Sequence, residues 1–216
     1  ALERHLSAIL LMGMVGVAMM FVAGTSLKWL AAGAAGAVVF VLVYITFMGY
    51  AGDRVTAWLH PEGDPADTGY QILQSLYAIG SGGVFGLGLG KSRQKYLYLP
   101  FQHNDYIFAI VCEELGLLGA LVIVALFAVT IIRGYWIALH ARDRFSTVLA
   151  SGLVTLIAVQ TILNLCVVTN LLPSTGIALP FFSYGGTALA VNLGEMGIVL
   201  QISRYRNHRK IQEEIT

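Results

Sequence analysis

Leu115-Gly-Leu-Leu-Gly-Ala-Leu-Val-Ile-Val-Ala-Leu-Phe-Ala-Val-Thr-Ile-Ile132 runs for 18 residues without a charge, closed by Glu113 and Glu114 on one side and Arg133 on the other. As a helix rising about 1.5 Å per residue it reaches about 27 Å, close to a ~30 Å hydrocarbon core. Four further apolar stretches flank it: Leu6–Gly24, Trp29–Met48, Val148–Val168 and Gly185–Ile202, the last of which holds the single charge of Glu195. In lipid a span must satisfy its own backbone, so the expected fold is an all-α integral membrane protein. It is a polytopic helical bundle of about five transmembrane helices with a large ordered extracytoplasmic loop. Composition agrees: 57% of the 216 residues are hydrophobic and 12% charged, at a mean hydropathy of +0.74. A soluble domain carries about 25% charged residues. The net charge of +1 leaves no basic excess, so nucleic acid is excluded as a partner. Cys112 and Cys166 fit no CxxC or Cys/His metal spacing and read as buried thiols, and no metal-ligand set is found.

Basic residues orient the spans. Arg133, Arg142 and Arg144 cluster between the third and fourth spans, and Arg204, Arg206, Arg209 and Lys210 follow the last. The positive-inside rule puts both groups in the cytoplasm, together with Lys28 in the first tight turn. The chain then starts outside, and the loops Tyr50–Asp105 and Asn170–Tyr184 lie outside too. An external start at Ala1 with no signal-peptide pattern predicts upstream helices, so the chain reads as the C-terminal part of a larger protein. Residues 1–216 form one membrane domain, with a large extracytoplasmic loop at 50–105 and a cytoplasmic tail at 203–216. Within that loop, Ile72, Leu73, Leu76 and Ile79 recur at helical spacing, with Gln71, Gln74 and Ser75 elsewhere on the wheel. That pattern predicts an amphipathic helix at the outer surface, against membrane lipids.

The chemistry-bearing residues follow this helix. Gly80 through Ser92 holds six glycines and ends in Gly90-Lys-Ser, but it is no nucleotide-binding loop. The Walker pattern needs glycine where Phe85 stands. Glycines still let backbone approach a partner closely, and Lys91, Arg93 and Lys95 could hold an anionic headgroup. Asp105 stands at the entrance to the third span, either as a helix cap or as a general base with His103 nearby. Glu113 lies about 12 Å along a helix from Asp105 and about 80° around it, and Glu114 points away, so neither shares its proton. Glu195, nine positions before Arg204, falls near mid-membrane, where Asn192, Gln160 and Asn164 suggest a buried hydrogen-bond network. Leu172 through Gly185 has prolines and glycines spaced for a folded re-entrant turn. Ser81 and Ser183 lack a nearby base, so serine hydrolysis is unsupported.

Taken together, Gly69-Tyr-Gln-Ile-Leu-Gln-Ser, Gly86-Leu-Gly-Leu-Gly-Lys-Ser-Arg-Gln-Lys, Tyr98-Leu-Pro, His103-Asn-Asp-Tyr-Ile-Phe, Glu113-Glu-Leu-Gly and Leu179-Pro-Phe-Phe-Ser-Tyr-Gly-Gly resemble the SEDS family of bacterial cell-wall polymerases. The likeness covers nearly the whole chain and leans to its FtsW/SpoVE branch. Asn104 stands where Thr is usual, and Glu3-Arg-His-Leu-Ser replaces the usual Pro-Asp-Leu-Gly. The resemblance implies about ten spans in the complete protein. It also implies a peptidoglycan glycosyltransferase that polymerises lipid II at the outer face of the bacterial cytoplasmic membrane, in division, shape or sporulation. Asp105 would be the catalytic residue, with Lys91, Arg93, Gln94, Lys95, His103, Glu113, Glu114, Ser183, Gly185 and Gly186 binding substrate. The implied partners are lipid II, the nascent glycan and a class B penicillin-binding transpeptidase. No cofactor is required, with a divalent cation (Mg or Mn) left open as an aid to the departing pyrophosphate. Two alternatives stand beside the enzyme: a lipid II flippase working through Glu195, and a non-catalytic scaffold for the transpeptidase.

Overall fold

The computed structural model describes residues 6–48, 50–63, 68–92 and 105–215, and among these every regular element is helical. In order they are α1 (Leu6–Val22), α2 (Leu27–Met48), α3 (Tyr50–Leu59), a 3-10 turn (Pro61–Gly63), α4 (Thr68–Gly82), α5 (Ile107–Leu139), α6 (Arg144–Val168) and α7 (Gly186–Ile215). Helices stand on all five stretches that the hydrophobic pattern marks. Among the described residues, α5 and α6 are long and apolar enough to cross a membrane, and α1 is a shorter apolar helix. Lys28 falls inside the first turn of α2, not in the turn before it. Helix α7 continues through the basic segment to Ile215.

The helices fall into two compact units. One gathers α1, the first part of α2, the second half of α5, the first part of α6, and α7. Its core is Ile137, Val154 and Val199, with Ile131, Tyr135, Trp136, Leu153 and Ile202 packed around them. The Tyr135 hydroxyl meets Thr155 Oγ1 at 2.8 Å, so the polar atoms of this contact are paired. Asp143 caps α6: its Oδ2 accepts the Ser146 amide at 2.9 Å and its Oδ1 the Ser146 hydroxyl at 2.8 Å. The Ser146 amide bond holds the Asp143 carboxyl below the usual carboxylate range.

The other unit gathers the end of α2, α3, α4, the first part of α5, the end of α6 and the segment up to Gly185. Its organising feature corrects the sequence reading, because the apolar run from Leu115 is not one uninterrupted helix. At Gly116 the backbone leaves the helix, with φ 67° and ψ −169°. In a continuous helix the amides of Leu117 and Leu118 would bond the carbonyls of Glu113 and Glu114. Instead they donate to Gly83 and Val84 at 2.9 and 3.2 Å, while those two carbonyls accept from Leu87 and Gly88, each at 3.0 Å. The glycine-rich segment after α4 thus takes over the four backbone groups released by the break. It can come so close because side chains are absent. A Cβ at Gly116 would collide with the Gly86 amide and lie 2.6 Å from the Val84 carbonyl oxygen, and one at Gly86 would collide with the Glu114 carbonyl.

Helix α4 is amphipathic, but its inward stripe differs from the one expected. Ile72, Ser75 and Ala78 are fully buried, whereas Leu73, Leu76 and Ile79 are half-buried. Ser75 turns inward because its hydroxyl donates to the Val168 carbonyl at 2.6 Å. Val168 ends α6, so that carbonyl has no partner within its own helix. Trp58 of α3 does the same for Asn170, donating Nε1–H to its carbonyl at 3.0 Å. Asn170 itself takes the left-handed conformation (φ 58°) that ends a helix.

The backbone exchange yields a first prediction. In the full-length protein, Gly116→Ala or Gly86→Ala lowers stability by about 2 kcal/mol or more. Gly80→Ala, in α4 with nothing within 4 Å of its Cβ position, is neutral or stabilising by up to about 1 kcal/mol. Thermal unfolding in detergent checks this, and equal melting temperatures for all three variants would contradict it.

Candidate active site at Asp105

Asp105 and Tyr106 form the turn that leads into α5. Of the two roles open to Asp105, capping is not the one observed: among the described residues no amide of the first turn of α5 donates to its carboxylate. Burial pushes the carboxyl above its ordinary range, and the Arg54 guanidinium opposes that shift. Asn164 of α6 fixes the backbone beneath it. The Asn164 side-chain amide donates to the carbonyls of Asp105 at 2.7 Å and Ile177 at 2.9 Å, tying the entrance of α5 to the segment after α6. Both N–H bonds of Asn164 are therefore committed here. Glu195 and Asn192 are buried as expected, yet Glu195 Oε2 has no hydrogen-bond partner among the described residues.

The segment after α6 supplies the wall of the site. Gly176 (φ 70°) comes so close that a Cβ there would lie 3.6 Å from Asp105 Oδ2. With no side chain at this position, the Gly176 backbone packs directly against the carboxylate. Arg54 of α3 donates from Nη1 to the Ser174 carbonyl at 3.0 Å, two residues before Gly176. Thr175 Oγ1 and Asn164 Oδ1 are buried with no hydrogen-bond partner among the described residues. Farther along, Phe181 holds φ 65°, a left-handed conformation rare for a bulky side chain. Bonds from the Phe182 and Ser183 amides to the Leu179 carbonyl close that turn, and the Leu179 amide donates to Ser183 Oγ at 2.8 Å.

The other expected site residues fall as follows. Lys91 is exposed, and Ser92 beside it is buried, donating its hydroxyl to Glu113 Oε2. Glu113 is 1% exposed and anchors the start of the basic segment from the inside. Glu114 is half-buried, with Oε1 lacking a partner among the described residues. Ser183 closes its own turn, Gly185 precedes α7 and Gly186 is its first residue. Arg93, Gln94, Lys95 and His103 lie outside the described residues. Among the described residues no three His, Cys, Asp or Glu side chains converge as a metal site. Sequence reasoning missed Arg54, Thr175 and Gly176, and it gave Asn164 a different role. Their signal was weak, since Arg54 sits 51 positions before Asp105 and Gly176 is one of 24 glycines.

The raised carboxyl makes a thermodynamic prediction. An acid that is harder to ionise when folded costs stability as pH rises through its folded pKa, and costs nothing below its unfolded pKa. Asp105→Asn therefore melts at or above the wild-type temperature near neutral pH, and the gap closes as pH falls toward about 4. A variant that melts lower at neutral pH, with the deficit vanishing in acid, would contradict it.

The family model described as "Cell cycle protein", covering FtsW, RodA and SpoVE, matches residues 1–208. The chain is 45% identical over 203 residues to a probable peptidoglycan glycosyltransferase FtsW of Geobacter sulfurreducens, covering 94% of this chain and 54% of the relative. It is 50% identical over 159 residues to the stage V sporulation protein E of Bacillus subtilis, covering 74% of this chain and 43% of that one. Among solved structures it resembles a chain of a peptidoglycan synthase complex that coordinates polymerization and crosslinking. There the TM-score is 0.76 at 28% identity, over 95% of this chain and 57% of the other. It also resembles a mutant of the rod shape determining protein RodA of Thermus thermophilus, at TM-score 0.60 and 25% identity, over 94% and 51% of the two chains. The chain spans about half the length of the curated relatives it matches. Motifs, helix order and these matches agree, and the chain belongs to the FtsW/RodA/SpoVE family, the SEDS proteins.

Proposed function

We propose that this chain is the half of a peptidoglycan glycosyltransferase that carries the general base. The observation behind this reading is Asp105: a half-buried carboxylate, unengaged by the first turn of α5, with the Gly176 backbone packed close to it. A carboxylate tied up as a cap would be a poor base. One raised by burial is better matched to accept a proton near neutral pH. In the reaction, the Asp105 carboxylate takes the proton of the acceptor sugar's C4 hydroxyl as that oxygen attacks the anomeric carbon of the lipid-linked donor. The bond from that carbon to the pyrophosphate oxygen breaks, the polyprenyl pyrophosphate leaves, and the anomeric configuration inverts. Lys91, Arg93 and Lys95 are placed by sequence to neutralise the leaving group, with Glu113 and Ser92 anchoring the start of that segment. The buried oxygens of Thr175 and Asn164 suit a ligand rich in hydroxyl donors. A divalent cation would supply further charge at the pyrophosphate, and the described residues offer no cluster to hold one.

In this reading the chain crosses the cytoplasmic membrane five times, with the N-terminal end, the 50–105 loop and the Asn170–Tyr184 loop outside. Lipid II is the substrate, and a class B transpeptidase is the partner. The likeness to a chain of a peptidoglycan synthase complex supports that pairing.

The test is polymerisation of labelled lipid II by the full-length protein purified with its transpeptidase. Asp105→Ala lowers the rate at least about a hundredfold while lipid II binding and transpeptidase association persist. Polymer at the wild-type rate from Asp105→Ala would remove Asp105 as the base. Its acid limb in wild type lies above the ordinary carboxylate range of about 4.

A further inference from the structure

Arg54 is the cation that the structure brings to Asp105 and that no motif marks. It is fixed by geometry. Its Nη1 bonds the Ser174 carbonyl at 3.0 Å, and four residues on, Trp58 bonds the Asn170 carbonyl at 3.0 Å. Helix α3 is thus pinned twice to the segment whose Gly176 faces Asp105 Oδ2 and whose Ile177 carbonyl is tied through Asn164 to Asp105. The four residues Arg54, Ser174, Gly176 and Asp105 belong to one connected assembly. The charged groups on α3 and α5 nearby are Asp53, beside Arg54, and Glu113 and Glu114, two turns or more along α5 from Asp105. Thr68–Gly82 of α4, the stretch of α6 after Arg144 and the segment 170–185 contain no Asp, Glu, Lys, Arg or His. Among the described residues the ionic influence on Asp105 is that of Arg54, which opposes the effect of burial. Tyr106 is the titratable neighbour on its own turn.

Resting on the reading of Asp105 as the base, we propose that Arg54 is its positioning residue: the guanidinium fixes the Ser174–Gly176 turn over the carboxylate and supplies the positive charge that favours its reactive, ionised form. Arginine suits both tasks at once. Its planar fork can hold a carbonyl while its charge stays delocalised and permanent, whereas lysine offers a flexible point charge. Substitution can therefore separate the two contributions.

The experiment is the pH dependence of lipid II polymerisation by the full-length protein with its transpeptidase, for wild type, Arg54→Lys and Arg54→Gln, with melting temperatures and lipid II binding measured alongside. Arg54→Gln moves the acid limb of the rate upward by about one pH unit, so that rates on that limb fall about tenfold. Arg54→Lys keeps the wild-type limb and loses a few-fold in kcat, because the charge survives and the bond to Ser174 does not. A Gln profile that superposes on wild type overturns the proposal. So does a Lys limb displaced as far as that of Gln. Should Arg54→Gln fail to fold, the Lys variant decides by the same criterion, since a displaced limb with charge retained contradicts the role. Asp105→Ala separates the two possible failures: activity retained there removes the base itself, whereas an inactive Asp105→Ala beside an unmoved Arg54→Gln profile removes Arg54 alone.

Discussion

Breaking an apolar helix frees backbone hydrogen-bonding groups, and in an apolar setting each unpaired group costs several kcal/mol. At Gly116 the cost is avoided by exchange: the amides of Leu117 and Leu118 and the carbonyls of Glu113 and Glu114 pair with Gly83, Val84, Leu87 and Gly88. This constraint fixes the glycine-rich segment to α5. It also fixes the end of α4 that leads into it, and so sets where Lys91 and Ser92 begin the basic stretch. The glycines that suggested an anion-binding loop are used first to let two backbones touch.

The same logic recurs at the other end of that unit. Carbonyls that α6 leaves unpaired as it ends, and those of the segment after it, are taken by side chains from elsewhere: Val168 by Ser75, Asn170 by Trp58, Ser174 by Arg54, Ile177 by Asn164. Helices α3, α4 and α6 are thereby joined to one irregular segment, and Asp105 sits against it. A stiff surround is what a general base requires, since its carboxylate must be aligned before substrate arrives. Burial raises the carboxyl and Arg54 opposes that shift, the balance that the proposed role as a base draws on.

Much of this was legible in the residues. Apolar runs placed five of the helices, and the His103-Asn-Asp-Tyr-Ile-Phe motif singled out Asp105 as the candidate. The break at Gly116 was not legible, because glycine is common in apolar helices and the loop that compensates it lies about 30 residues upstream. Ser75 was assigned to the wrong side of α4 for a related reason: a hydroxyl counts as polar until a distant carbonyl offers it a partner. Asn164 likewise reads as interhelical glue by position in the chain, and only the fold shows that it holds the entrance of α5. Local pattern finds elements and motifs, whereas pairings between distant backbone groups need the tertiary structure.

The central claim is that the Asp105 carboxylate meets the acceptor sugar. An experimental structure of the full-length protein with its transpeptidase, trapped with lipid II in both donor and acceptor positions, tests it most directly. The account predicts an Asp105 carboxylate oxygen within about 3.2 Å of the acceptor C4 hydroxyl oxygen, directly or through one water. An acceptor hydroxyl held instead by another carboxylate or histidine, with Asp105 remote from it, would contradict the account.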